Sequence, residues 1–128
     1  MAATGAAKHL WSRTSLRPAD VDAVQLYDGF SVLALVWLEA LGFCKPGEGG
    51  AFVEGGSRIG LGGELPLNTS GGQLSAGRLH GYGLVHESVL QLRGQAGDRQ
   101  VAGAQVVAVS NGGGPIAGTM LLTAERAA

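Results

Sequence analysis

The stretch NTSGGQLSAGRLHGYG, residues 68–83, sets five glycines among hydroxyls, an arginine, a histidine and a tyrosine. Glycine crowding of this kind marks backbone that turns sharply or passes close to a ligand or another backbone. Three readings compete for it: a phosphate cradle, a catalytic loop, or a tight turn. Spacing weakens the first. Gly77, Gly81 and Gly83 do not fit G-x-G-x-x-G, and the chain has no G-x-x-x-x-G-K-[ST].

Downstream of it, residues 81–93 place Leu84, Val85, Val89 and Leu92 on one face of a predicted helix. Residues 104–111, AQVVAVSN, read as a buried strand. Gly112-Gly113-Gly114-Pro115 forms a sharp turn, and IAGTMLLTAE, residues 116–125, is a last strand. Upstream, LPLN at 65–68 is a short strand and 44–64 a long glycine-rich loop. Loops of that length in compact domains are functional or packed on a partner. AVQLY, residues 23–27, is an apolar strand that turns through Asp28-Gly29 into a helix over 30–41. That helix is apolar nearly all round, which predicts deep burial, and Gly42 ends it. An Ala-rich helix opens the chain at 2–13. Strands alternating with helices and closing on two consecutive strands predict an α/β fold: a mixed sheet with helices packed on it.

Size and composition fit one domain over residues 1–128. Hydrophobic residues make up 45% and charged residues 15%, as in an ordered globular chain. The net charge of −1 offers no general attraction to nucleic acid or an anionic membrane. The longest apolar run, FSVLALVWLEALGF, is too short to span a bilayer and contains Glu39. One cysteine, Cys44, excludes an internal disulfide and a cysteine zinc site, and suits a cytoplasmic setting. His9, His80 and His86 are dispersed, so no metal site is expected.

NTSGGQLSAGRLHG resembles the thiolase loop N-x-x-G-G-x-x-x-x-G-H-P-x-G, with Asn68, Gly71, Gly72, Gly77 and Gly81 in register. VQLYDGFS, residues 24–31, looks like the N-E-A-F or H-D-C-F turn of that family, and VSNGGGPIAG, residues 109–118, like its C-x-G-G-G-x-G turn. The resemblance covers nearly the whole chain, in order, and implies the C-terminal half of a thiolase fold without its N-terminal half. In register, Arg78 stands where the thiolase histidine would be, Ser110 where the second cysteine would be, and Tyr27 at the Asn or His of the turn. Claisen chemistry uses a thiol nucleophile and a second thiol as acid and base, so thiolase activity is not expected.

YDGFS and GRLHG resemble a different branch, the thiolase-like lipid-transfer proteins of sterol catabolism. Some of these cleave a β-hydroxyacyl-CoA by a retro-aldol step, working with a small partner that carries an OB-fold and a zinc ribbon. That reaction needs a base for the hydroxyl, a stabiliser for the thioester enolate and an acid for carbon, but no acyl-enzyme. The resemblance therefore implies Tyr27, His80, Tyr82 and Arg78 as catalytic candidates. Gly72, Ser110, Gly112 and Gly113 become candidates for holding the CoA thioester, which is the only cofactor expected and enters as part of the substrate. Tyr82 and His80 sit at or just before a helix N-terminus, whose dipole favours developing negative charge. A tyrosine with its ordinary pKa of about 10 must be lowered to act as a base, and Arg78 is the expected agent. Arg78 could instead bind CoA phosphate or pair with Asp28.

The chain is expected to be a piece of a longer protein or one partner of a split enzyme, inactive alone. Self-association or pairing with an N-terminal thiolase half is expected to cover its apolar face. The alternatives are a non-catalytic acyl-CoA or lipid-binding scaffold and a degradative acyl-CoA acetyltransferase.

Overall fold

The structure is a computed structural model and describes residues 1–124. The chain forms α1 (Ala2–Trp11), β1 (Ala23–Gln25), α2 (Ser31–Ala40), α3 (Gly49–Val53), α4 (Gly72–Ala76), α5 (Tyr82–Leu92), β2 (Val106–Gly112) and β3 (Ala117–Thr123). The three strands lie in the order β1-β2-β3. β1 runs parallel to β2 with Gln25 opposite Val109. β2 and β3 form an antiparallel pair with Val107 opposite Leu122 and Gly112 opposite Ala117. The fold is the expected α/β arrangement, a mixed sheet ending in an antiparallel pair.

Side chains alternate across a strand, and β2 uses both directions. Val106 and Ala108 pack with Ala3 and Ala7 of α1 and Trp37 and Leu38 of α2. Val107 and Val109 pack with Ala23 and Leu84 on the other face, under α5. Trp37 is fully buried, and its indole N–H donates to the carbonyl of Gly112 at 2.9 Å. Trp37 thus ties the start of the β2–β3 turn to α2.

Several elements differ from expectation. The helix over 30–41 buries Ala34, Trp37 and Leu38, but Val32 is exposed, as is Phe30 just before the helix. Its apolar residues outnumber the positions that face the sheet, so the surplus meets solvent. The 65–68 segment is not a full strand: it meets the sheet at a single bridge, Leu67 beside Val24, with the Val24 N–H donating to the Pro66 carbonyl and the Asn68 N–H to the Val24 carbonyl, each at 2.9 Å. Residues 44–64 are not an open loop. Glu39 Oε1 accepts the Gly49 N–H at 3.0 Å, seating α3, and Phe52 from α3 enters the core. The Leu65 and Leu67 N–H groups then donate to the carbonyls of Arg58 and Ile59. Glu125, the last residue of the expected final strand, lies outside the described residues.

The largest departure concerns α5. Val85, Val89 and Leu92 are only half-buried, and the face turned inward carries Leu84, Glu87, Ser88 and Gln91. A polarity pattern assigns Glu87 and Gln91 to solvent. They are buried because their partners, Thr69, Arg99 and Gln100, come from segments that flank the helix at a distance in sequence.

Candidate active site

Three consecutive residues after β1 organise the site. Leu26 donates its N–H to Asn68 Oδ1 at 2.7 Å, and its carbonyl accepts from Asn68 Nδ2 at 2.9 Å. Tyr27 donates its N–H to Ser110 Oγ at 3.0 Å. Asp28 Oδ1 accepts the Gln73 N–H at 2.7 Å. Residues 26, 27 and 28 therefore hold, in turn, the start of the glycine-rich loop, the end of β2, and α4. The fit depends on missing side chains. A Cβ at Gly72, which has φ of +64°, would overlap the Asp28 carboxylate. A Cβ at Gly29 would overlap the Tyr27 hydroxyl, because the phenol folds back along its own turn.

Beside this junction lies a cleft of about 430 Å³. Its walls are His80, Gly81, Tyr82 and Val85 from the start of α5, Val109, Ser110 and Asn111 from β2, and Gly118, Thr119 and Met120 from β3. The volume is within the range of small-molecule sites, roughly 300–1,000 Å³. Asn111 Nδ2 donates to the His80 carbonyl at 3.1 Å, pinning the loop to the strand end. The His80 backbone is in the left-handed region, with φ of +49°. Tyr82 is exposed at the cleft mouth, whereas Ser110 is buried at its floor. No side chain caps the N-terminus of α5. The Tyr82 N–H is spent on the Leu79 carbonyl at 3.0 Å, so what the helix start offers developing negative charge is chiefly its dipole.

The structure thus brings His80, Tyr82 and Ser110 to one cleft; Tyr27 is tied to it by its backbone N–H on Ser110, while its phenol folds back over Gly29 and is not among the cleft's walls. Arg78 does not line this cleft; it is exposed and, among the described residues, makes no salt bridge with Asp28 or any other carboxylate. Gly72 lines a separate cleft of about 200 Å³ with Ser70, Gln73 and Leu84. Gly113 spends its N–H on the Ile116 carbonyl at 2.9 Å, and Gly112 pairs with Ala117. These two glycines hold the hairpin turn. Among the described residues no cluster of three His, Cys, Asp or Glu side chains could hold a metal ion.

Cys44 packs against the α1–α2 core, away from the cleft. Burial, then the charges of Glu39 and Glu48, push its thiol pKa up, away from reactivity. Sequence reading missed the residues that hold the site: Asp28, Asn111 and the side-chain role of Asn68. The YDGFS turn placed Asp28 correctly in sequence, but a DG pair reads as turn chemistry, which conceals a buried carboxylate clasping a second loop.

A family profile described as thiolase C-terminal domain-like matches residues 1–124. The chain is 44% identical over 115 residues to 17-hydroxy-3-oxo-4-pregnene-20-carboxyl-CoA lyase of Mycobacterium tuberculosis, covering 89% of this chain and 29% of that protein. It is also 44% identical over 109 residues to sterol carrier protein 2 of Oryctolagus cuniculus, covering 83% of this chain and 20% of that protein. The solved structure of the Ltp2-ChsH2(DUF35) aldolase superposes with a TM-score of 0.89 at 37% identity, over 97% of this chain and 32% of that one. This chain thus spans about a third or less of each protein it resembles. With the strand order, the clasped glycine loop and the profile match all in agreement, the chain belongs to the thiolase C-terminal domain-like family.

Proposed function

We propose that this chain is the C-terminal thiolase-like part of a retro-aldol lyase that cleaves a β-hydroxyacyl-CoA in sterol side-chain degradation. One observation carries the reading: His80, Tyr82 and Ser110 meet at one cleft that contains no thiol, where the family's carbon–carbon chemistry otherwise relies on sulfur. Identity alone does not choose, since a lyase and a sterol carrier protein match equally well. The residues favour the lyase.

In the proposed reaction a base removes the β-hydroxyl proton. The Cα–Cβ bond then breaks, its electron pair passes into the thioester as an enolate, and Cβ becomes a carbonyl carbon. A proton delivered to Cα completes the products. The thioester of CoA is the electron sink, so the substrate brings its own activating group. The phenols of Tyr27 and Tyr82 and the imidazole of His80 are the proposed proton carriers. The N-terminal dipole of α5 is assigned to stabilise the enolate oxygen. Arg78 is assigned to CoA phosphate, because its guanidinium is exposed and free of a carboxylate partner among the described residues.

The remaining half of the fold is proposed to come from a longer chain or a second polypeptide. An OB-fold and zinc-ribbon protein is a proposed further partner, in keeping with the second component named in the solved aldolase. A cytoplasmic site of action is proposed. Among the described residues no helix is long and apolar enough to cross a membrane.

The test reconstitutes the chain with its missing half and follows cleavage of β-hydroxyacyl-CoA thioesters. Tyr27→Phe and Tyr82→Phe are each expected to lower kcat by about 10²–10⁴-fold, the usual worth of a positioned acid or base. Unchanged cleavage in Tyr27→Phe removes that residue from the mechanism. No cleavage with any such substrate, together with retained acyl-CoA binding, establishes the scaffold reading instead.

A further inference from the structure

The polar face of α5 is built around one carboxylate. Glu87 is 2% exposed. Its Oε1 accepts from the Thr69 hydroxyl at 2.8 Å, Gln91 Nε2 at 3.1 Å and Arg99 Nε at 3.2 Å, and its Oε2 accepts from Arg99 Nη2 at 2.9 Å. Thr69 Oγ in turn accepts from Gln25 Nε2 at 2.8 Å and Gln91 Nε2 at 3.1 Å. Thr69 directly follows Asn68, whose carboxamide clasps Leu26. One dipeptide of the glycine-rich loop is therefore fixed from both sides, by the end of β1 and by the middle of α5. Beyond it the loop runs through Gly71 and Gly72 to His80 and Tyr82 at the cleft.

A buried carboxylate, here paired with a half-exposed arginine, is a costly way to stabilise a helix. Apolar residues of similar volume commonly hold a core as well or better, so the carboxylate calls for another role. Here the carboxylate's bonds reach out of its own helix to the loop and to the turn after α5.

We propose that Glu87 is a positioning residue: through Thr69 it fixes the loop at residues 68–81, and so the placement of His80 and Tyr82 at the cleft. The lyase reading supplies the purpose of that placement, but the placement itself is tested without substrate.

The experiment is hydrogen–deuterium exchange on the chain, resolved by peptide, for the parent, Glu87→Gln, Thr69→Val, Thr69→Ser and the Glu87→Gln/Thr69→Val double variant. Glu87→Gln removes the charge that binds Arg99. Thr69→Val removes the hydroxyl's bonds to Glu87, Gln25 and Gln91 but leaves the ion pair whole, so it serves if Glu87→Gln does not fold. Thr69→Ser restores the hydroxyl. Each of the first two is expected to speed exchange over residues 69–81 by about tenfold, while Val107–Val109 of β2 stay at the parent rate. The double variant is expected to match the larger single one, and Thr69→Ser to match the parent. Acceleration confined to residues 87–101, acceleration shared equally with β2, or additive effects in the double variant would overturn the proposal. A loosened loop in a reconstituted assembly that cleaves no β-hydroxyacyl-CoA would overturn the lyase reading and leave the positioning role standing.

Discussion

Against one face of the sheet, Trp37, Leu38, Leu41 and Phe52 pack with Ala3, Ala7 and the inward residues of β2. Against the other, α5 sets Leu84 beside the buried polar side chains Glu87, Ser88 and Gln91. Hydrocarbon on the first face follows volume and tolerates small rearrangement. Polar groups on the second must meet their partners at fixed distances or remain unsatisfied. The apolar face supplies the bulk of the fold's cohesion, and the polar face fixes where one loop lies. That loop carries the candidate site.

The contrast can be broken from either side. Trp37→Ala on the apolar face is expected to have the largest effect, about 3–5 kcal/mol lost in denaturant unfolding. A further cost follows from the Gly112 carbonyl losing its donor. Unfolding there should be global, with all amides exchanging faster together. At the junction of the two faces, Gly72→Ala forces a Cβ into the Asp28 carboxylate from a left-handed backbone. A loss of about 1–3 kcal/mol is expected from strain alone. Combining it with Asp28→Ala should cost less than the two single losses added, as a double-mutant cycle by thermal unfolding would show.

The next effect separates the faces by pH. Burial raises the pKa of the Glu87 carboxyl, but hydrogen bonds from Arg99, Thr69 and Gln91 and the charge of Arg99 outweigh it, and the net shift is downward from 4.5. A lowered folded-state pKa means stability that is fully present above the ordinary value and lost as pH falls through the folded one. Among the described residues, Arg99 is the charged group within ion-pair distance of it. The urea midpoint should therefore fall on acidification below about pH 4.5 in the parent and fall less in Glu87→Gln. The smallest effect is expected at the cleft rim. Asn111→Ala removes one exposed hydrogen bond to the His80 carbonyl, worth about 0.5–1 kcal/mol by chemical denaturation.

The same contrast explains what the sequence disclosed. Strand–helix alternation and the glycine turns led to the α/β mixed sheet, and the motif bends pointed to three residues that line one cleft, His80, Tyr82 and Ser110, with the Tyr27 backbone bonded to the last. These signals are local, since each is carried by a few adjacent residues. The misses are non-local. Glu87 reads as a solvent-facing helix residue until Arg99 and Thr69 are brought to it. Asp28 reads as half of a turn until Gln73 arrives 45 residues later. Residues 44–64 read as loop because glycine dominates their composition, yet Phe52 anchors them. The pairing of Gly113 with Ile116 across the hairpin turn is likewise invisible until the chain folds back.

Asn68 has a consequence for how the loop beyond it is held. Its side chain offers Leu26 one donor and one acceptor, the same two groups that the next peptide unit of a neighbouring strand would have supplied. The chain can therefore leave the sheet at that point while the sheet edge remains satisfied. Everything between the asparagine and the helix is released from ladder geometry and is held instead by side chains, at Thr69, Gln73 and His80.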